Sequence, residues 1–273
     1  MPVFLNTQAA DFDADFTALL SAKREDSPDV DEVVAGIIRD VRTHGDAAVI
    51  ELTAKFDRLE LTPETLRFSE SEIAALVAQV SDAERAALEL AAERIRAYHA
   101  KQLPEDMLWE EETGAQLGWR WTPVSAAGLY VPGGLASYPS SVLMNAIPAM
   151  IAGVKRRVMV VPASDGKVNV LVLAAAALAG VTEVWRIGGA QAVAALAYGT
   201  QMIAPVDKIV GPGNAFVAAA KRQVFGQVGI DSIAGPSEIL VVADANNDPS
   251  WIAADLLSQA EHDEAAQSIL ITD

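Results

Sequence analysis

Three glycine-containing turns each follow a short apolar run, and each carries one polar side chain. They are Tyr-Val-Pro-Gly-Gly at 130–134, Gly-Gly-Ala-Gln at 188–191 and Gly-Pro-Gly-Asn at 211–214. Glycine after a strand permits a positive φ and lets a phosphate group approach the backbone. None of the turns matches G-x-G-x-x-G, and the sequence has no Walker A motif. Ordinary loop chemistry explains each turn alone, whereas together Tyr130, Gln191 and Asn214 make ligand binding an equally good explanation.

A second polar group lies in the segment DPSWIAADLLSQAEHDEAAQ. Asp248 and Pro249 suit an N-cap and a first helical position, so we predict a helix over Pro249–Glu264. Helical spacing predicts that it buries an apolar stripe formed by Ile252, Ala253, Leu256 and Ala260.

Gln259 and His262 fall with Asp255 on one flank of that stripe. A glutamine and a histidine at this spacing can point at one shared atom, such as a metal ion. Zinc usually takes cysteine, histidine or carboxylate, so the residue types alone favour a plain helix edge. Ser237, in the turn Ala-Gly-Pro-Ser-Glu, could donate to a ligand, but turn geometry explains it equally well.

The elements that must position these residues are short strands alternating with alanine-rich helices. The predicted strands are Gly128–Val131, Arg157–Val161, Glu183–Ile187, Lys208–Val210, Glu238–Val242 and Ser268–Thr272. The predicted helices between them are Ser141–Gly153, Asn169–Gly180, Ala190–Tyr198 and Ala215–Phe225, besides Pro249–Glu264. This alternation predicts an open, doubly wound α/β architecture with a parallel sheet covered on both faces. Such sheets bind ligands at the carboxyl ends of their strands.

The residues before this region are charged and predict mainly helices. Ser27-Pro28 and Gly45 suit the start and the end of one helix. A second helix is predicted over Asp82–Lys101 and is followed by Pro104. Residues Trp109–Pro123 alternate like a pair of strands.

Composition excludes several classes of function. The net charge of −17 argues against nucleic acid and anionic membranes as partners, because both need clustered Lys and Arg. The absence of cysteine excludes disulfides and thiol nucleophiles, and it fits a reducing cytoplasm. The start of the chain does not have the pattern of a signal peptide. The most apolar stretch, Val168–Val181, is shorter than the roughly 20 residues that span a bilayer, which predicts a buried helix.

Longer stretches of the sequence resemble the histidinol dehydrogenase family. They are GLYVPGGLASYPSSVLMNAIPA, RIGGAQAVAALAYGT, VDKIVGPGNAFVAAAKRQVFG, GIDSIAGPSEILVVAD and ADLLSQAEHDEAAQSIL. IRAYHAKQ and DAAVIELTAKFD agree in the helical half, so the resemblance covers most of the chain. Met150 is a small departure, since many relatives carry lysine there.

The resemblance implies a zinc- and NAD-dependent enzyme that oxidises L-histidinol through the aldehyde to L-histidine, the last step of histidine biosynthesis. It implies that Tyr130, Gln191 and Asn214 contact NAD. Ser237, Gln259 and His262 would hold the substrate, and Gln259 and His262 would also bind Zn²⁺. The implied protein is a cytoplasmic homodimer.

The resemblance also implies two incomplete Rossmann-like domains. Residues 128–236 would form one α/β domain, inserted into a discontinuous domain made of residues 1–127 and 237–273. In the family a Glu–His pair is the catalytic base, and it lies downstream of the region that matches Asp273, as do two further zinc ligands. We therefore expect a chain that is cut short, contains no catalytic residue, binds zinc poorly and turns over no histidinol alone.

Two other functions remain open at this point. One is a non-catalytic fragment that keeps the nucleotide-binding edge. The other is a metal-independent α/β dehydrogenase of another small alcohol, in which activity would survive chelation.

Overall fold

The computed structural model describes residues 3–22, 28–133, 138–233, 238–261 and 266–273. The helices are α1 (Phe12–Ala22), α2 (Pro28–His44), α3 (Asp46–Asp57), α4 (Glu70–Val77), α5 (Asp82–His99), α6 (Pro139–Ile151), α7 (Val170–Leu178), α8 (Gly189–Tyr198), α9 (Ala215–Val224) and α10 (Pro249–Ala260). The strands are β1 (Met107–Glu110), β2 (Gln116–Trp119), β3 (Ala126–Tyr130), β4 (Arg156–Val160), β5 (Glu183–Trp185), β6 (Lys208–Val210), β7 (Gly229–Ile230), β8 (Glu238–Val242) and β9 (Gln267–Ile271).

The largest sheet is parallel and has five strands in the order β5-β4-β3-β6-β7. Counted from its first strand, this is the 3-2-1-4-5 order of doubly wound nucleotide-binding folds, in which the winding reverses between the first and fourth strands. The α/β prediction with a parallel sheet is therefore confirmed. The reversal lies between β3 and β6, and in such folds it marks the binding crevice.

The sheet is apolar on both faces because residues of β3 and β4 alternate between two cores. Tyr130 and Val160 belong to the core with α8 and α9, whereas Leu129 and Met159 belong to the core with α6 and α7. A continuous apolar run, with no polar alternation, is what a sheet covered on both sides requires.

The N-terminal helices form an outer layer over both cores. Helices α2 and α3 pack on α8, and α2 also packs on α9, while α4 and α5 pack on α7 and α5 packs on α6. Capping boxes begin α4 and α5, in which Ser69 and Ser81 each exchange hydrogen bonds with a glutamate three residues later. The division into an inserted and a discontinuous domain stays a prediction.

Two smaller sheets complete the described structure. Strands β1 and β2 form the predicted pair of strands, which is antiparallel and begins at Met107 and ends at Trp119, two residues earlier at its start and four at its end than the predicted range. Strands β8 and β9 pair directly and in parallel. Helix α10 connects them along the chain and packs on both.

The predicted burial of α10 is wrong. Ala253 and Ala260 are exposed, Ile252 and Leu256 are half-buried, and no residue of α10 is buried. The reason is that the described structure packs α10 on the two-stranded sheet alone, which covers one narrow strip of the helix.

Several sequence boundaries are confirmed. The stretch Val168–Val181 contains the buried helix α7, and α2 ends just before Gly45, whose φ is +59°. The pattern did not predict α3, which starts directly after Gly45, or α4 and β7. Within the residues described, no helix has the length and hydropathy needed to cross a membrane.

Candidate functional site

A cleft of about 410 Å³ lies at the carboxyl ends of the strands on either side of the winding reversal. The last residue of β3, Tyr130, lines the cleft, and the segments that follow β4, β5 and β6 contribute Pro162, Gln191 and Asn214. Helix α3 closes the cleft with Phe56 and Asp57. The structure thus brings together the polar residues of all three glycine turns.

Tyr130 is 3% exposed and links two of the turns, because its Oη accepts a hydrogen bond of 2.9 Å from the Gly189 backbone N–H. Burial raises the pKa of the Tyr130 phenol to about 12; the Gly189 N–H opposes this rise and the negative charge of Asp57 adds to it. The phenol is therefore protonated at neutral pH and can donate a hydrogen bond toward the cleft.

Gln191 lies in the first turn of α8 and is 1% exposed. The N–H groups at the start of a helix have no intrahelical acceptor, and the helix dipole adds partial positive charge there. Gly189 donates to Tyr130, whereas Ala190 and Gln191 have no backbone acceptor within the described ranges. These two N–H groups suit an anionic ligand such as a phosphate.

Glycine is needed at the α8 turn because a side chain would not fit. A Cβ on Gly188 would lie 2.3 Å from Cγ of Pro162, and a Cβ on Gly189 would lie 2.6 Å from Oε1 of Gln191. Gly189 also has a φ of +64°.

Asn214 is the N-cap of α9, and its Oδ1 accepts a hydrogen bond of 3.1 Å from the Val217 N–H. Its side-chain N–H groups have no acceptor among the residues that the structure describes. Asn214 can therefore donate to a ligand while its oxygen caps the helix.

A buried ion pair that sequence reasoning missed holds the turn before Asn214. Lys221 is 2% exposed, and its Nζ donates to Asp231 and, over 3.0 Å, to the Gly211 carbonyl oxygen. The other carboxylate oxygen of Asp231 accepts the Gly211 N–H over 2.8 Å. Burial alone would raise the pKa of Asp231, but the hydrogen bonds from Lys221, Gly211 and Ser232 outweigh it and lower that pKa. The signal in the sequence was a lysine among the alanines of AFVAAAKRQV.

Asp57 and Ser164 are two further residues that sequence reasoning did not single out. Both line the cleft, and Ser164 Oγ donates to Asp57 Oδ1 over 3.0 Å. Asp57 is the last residue of α3, and its position in DAAVIELTAKFD showed no sign of a site.

The predicted substrate and metal residues lie elsewhere in the chain. Gln259 is half-buried in the last turn of α10, while Ser237 and His262 lie outside the described residues. Within the described ranges, no group of three or more His, Cys, Asp or Glu residues could hold a metal ion. The roles assigned to these three positions stay predictions, as do the cofactor roles of Tyr130, Gln191 and Asn214.

Comparison with known proteins adds independent information. Residues 20–273 match the family model described as histidinol dehydrogenase. Histidinol dehydrogenases from Ruegeria pomeroyi and Cereibacter sphaeroides are each 74% identical to this chain over its whole length. The chain spans 63% of the length of these curated relatives. The crystal structure of histidinol dehydrogenase from Elizabethkingia anophelis matches with a TM-score of 0.81 and 41% identity, over 88% of this chain and 56% of that one.

Proposed function

The chain belongs to the histidinol dehydrogenase family, and on that premise we propose that the protein of which it is part oxidises L-histidinol to L-histidine with NAD. The observation that carries the proposal is the cleft at the winding reversal, lined together by Tyr130, Gln191 and Asn214. These residues come from three separate turns, and each has a hydrogen-bond donor available to a ligand.

The donor set of the cleft fits a dinucleotide. No Lys or Arg is among the described residues that line the cleft, so backbone N–H groups are the donors that would bind a pyrophosphate there. We propose that the free N–H groups of Ala190 and Gln191 bind the pyrophosphate. Gly188 lies two residues before Ala190, and a Cβ on it would lie 2.3 Å from Cγ of Pro162, so this position requires glycine. NAD, when bound, supplies the hydride acceptor.

In this proposal Tyr130 and Asn214 orient the cofactor. The Tyr130 hydroxyl keeps its proton at physiological pH and donates to the cofactor, while its oxygen still accepts from Gly189. Asn214 donates from its amide group on the opposite side of the winding reversal. The Lys221–Asp231 pair keeps the turn that carries Asn214 in place.

The second oxidation, from aldehyde to acid, requires that water add to the aldehyde. The chain contains no cysteine, so none of its residues can form a thiohemiacetal. We propose that a general base activates the water. We propose that the Glu–His pair implied by the family resemblance supplies that base, and that this chain alone is inactive.

The described residues do not by themselves form a zinc site, since a protein zinc site needs three or four ligands. We propose Gln259 and His262 as two of the ligands and, with Ser237, as substrate contacts. No step above depends on the metal. A homodimer in the cytoplasm completes the proposal.

Equilibrium titration of the 273-residue chain with NAD tests the cofactor site. We expect saturable binding that weakens about fivefold when Tyr130→Phe removes a hydrogen-bond donor, because a hydrogen bond is worth roughly 1 kcal/mol. Gln227→Ala, in an exposed turn after α9, is the control and should bind like the unaltered chain. An absence of NAD binding would overturn the proposal.

A histidinol oxidation assay separates the enzyme from the non-catalytic fragment. The residues that line the cleft belong to this chain. We therefore expect the chain alone to bind the cofactor without oxidising histidinol. NADH production from histidinol by these residues would contradict the proposal that the catalytic base lies outside them.

A further inference from the structure

Asp57 places a carboxylate in the wall of the cleft. The residue is 8% exposed, and its Oδ1 accepts the 3.0 Å hydrogen bond from Ser164. Its Oδ2 accepts no hydrogen bond from any residue in the described ranges. Asp57 Oδ2 is not among the buried unpaired atoms of the described residues, so it is open to the cleft and can accept a hydrogen bond from a ligand there.

The position of Asp57 relative to the sheet suggests which donors these are. Ser164 and Pro162 follow β4, the second strand of the parallel sheet in chain order. In doubly wound dinucleotide-binding folds, an acidic residue about 20 residues beyond the first turn accepts hydrogen bonds from the adenosine ribose. Here the acidic residue beside the end of the second strand is Asp57 of α3. It lies 107 residues before Ser164 in the chain.

The acidic residue that does follow β4 is engaged elsewhere. Both carboxylate oxygens of Asp165 accept hydrogen bonds from Arg58, over 2.7 and 2.6 Å. This bidentate pair occupies Asp165, and it also commits the guanidinium of Arg58, the cation nearest to Asp57 in sequence. Asp165 does not line the cleft, whereas Asp57 does.

We propose that Asp57 accepts hydrogen bonds from the adenosine ribose hydroxyls of the dinucleotide and selects NAD over its 2′-phosphorylated form. The inference rests on the proposed function and names a specificity-determining residue within that site. A 2′-phosphate would replace a donor with about −2 charge beside a carboxylate in a half-enclosed cleft. The Arg58 guanidinium donates to both carboxylate oxygens of Asp165, so these N–H groups are already engaged.

The electrostatics of the cleft are consistent with this placement. The negative charge of Asp57 contributes to the raised pKa of Tyr130, so it acts within the space that the cofactor would share. Asp57 and Tyr130 thus offer an acceptor and a donor to the same cleft.

The test is a set of titrations of the 273-residue chain with NAD, NADP and NAD lacking the adenosine 2′-hydroxyl. The unaltered chain should bind NAD at least tenfold more tightly than either analogue. Asp57→Asn should weaken NAD about tenfold, bring the affinity for NADP to within a few-fold of that for NAD and reduce the penalty for the missing hydroxyl, because the amide oxygen accepts a hydrogen bond without the carboxylate's charge. Glu51→Gln makes the same change of charge on an exposed position of α3 and should behave like the unaltered chain.

The possible results distinguish a failure of this inference from a failure of the proposed function. Unchanged discrimination among the three nucleotides in Asp57→Asn, with its fold confirmed by circular dichroism, would overturn the inference alone. Equal affinity of the unaltered chain for NAD and NADP would do the same. Binding of none of the three by the unaltered chain would overturn the inference and the proposed function together.

Discussion

The two parallel sheets of this chain have similar strand sequences but very different surroundings. The five-stranded sheet is apolar on both faces, and β3 is buried along its whole length. In the β8–β9 pair, by contrast, β8 alternates between exposed and half-buried residues, and Leu240 is 56% exposed. Leucine and valine therefore stabilise the first sheet far more than the second, because the stabilisation follows the apolar area removed from water.

The same difference separates the two predicted sites. The cofactor residues lie on elements whose positions are set by packing between α2, α3, α8 and α9. The only described residue of the predicted metal site is on α10, which has no buried residue. The edge predicted to bind the cofactor is thus formed within the described structure, whereas Gln259 is the part of the predicted metal site that the structure describes.

The largest expected effect comes from truncating one leucine in each sheet. Leu129→Ala, in the centre of β3 at 0% exposure, should lower the free energy of unfolding by about 3 to 4 kcal/mol. Leu240→Ala should lower it by less than about 1 kcal/mol, because most of its side chain already meets water. Urea unfolding followed by circular dichroism measures both, and similar losses would contradict the contrast between the sheets.

The buried ion pair gives the next largest effect. Asp231→Ala leaves the Lys221 ammonium without its counter-ion and should cost about 2 to 3 kcal/mol of unfolding free energy. Asp255→Ala, on the exposed surface of α10, should change stability by less than about 0.5 kcal/mol. Chemical denaturation at neutral pH gives both values.

The pair also has a definite pH dependence. Since the pKa of Asp231 lies below its ordinary value of 3.8 in the folded protein, the pair stabilises the fold above about pH 4. That contribution is lost as the pH falls through the folded pKa. The difference in stability between the unaltered chain and Asp231→Ala should therefore shrink below pH 4, and a constant difference would argue against the pair as its source.

A glycine at the cleft should be more sensitive than one at an open turn. Gly211 has a φ of +117°, and an added Cβ would lie 2.1 Å from the Tyr130 carbonyl oxygen. Gly211→Ala should therefore cost about 2 kcal/mol and weaken NAD binding. Gly114, in the β1–β2 turn, has a φ of +83° but no neighbour within 4 Å, so Gly114→Ala should cost about 1 kcal/mol and leave binding unchanged. Thermal melts and NAD titrations compare the two.

The smallest effect is a gain in stability at the proposed ribose contact. Burial raises the pKa of Asp57. The hydrogen bond from Ser164 and the charge of Arg58 lower it by less, so the net change is a rise. The ionised residue therefore disfavours folding above its folded pKa, and Asp57→Asn should stabilise the chain at pH 7 by less than about 1 kcal/mol. The gain should disappear below about pH 4. A loss of stability at pH 7 would show that Asp57 has a structural role.

Much of the fold was predictable because the strands are apolar runs and the turns contain glycine. Lys208–Val210 and Glu238–Val242 have the predicted bounds, and the helices between strands differ by a few residues at their ends. Helix α3 was missed because its apolar residues are distributed around it, without the stripe that marks α2. The burial of α10 was overestimated because a spacing pattern indicates which side is apolar but not whether anything covers it.

The sequence by itself determined the alternation of most strands and helices after Gly128, the apolar character of both sheet faces, and the family resemblance that names Tyr130, Gln191 and Asn214. Only the tertiary structure decided that Asp57 meets Ser164 in the cleft and that Lys221 holds the Gly211 turn. Local periodicity reflects neighbours within one helix or strand, whereas these contacts depend on which elements pack together. A polar residue at the end of a helix has the same local pattern whether it faces water or a cofactor.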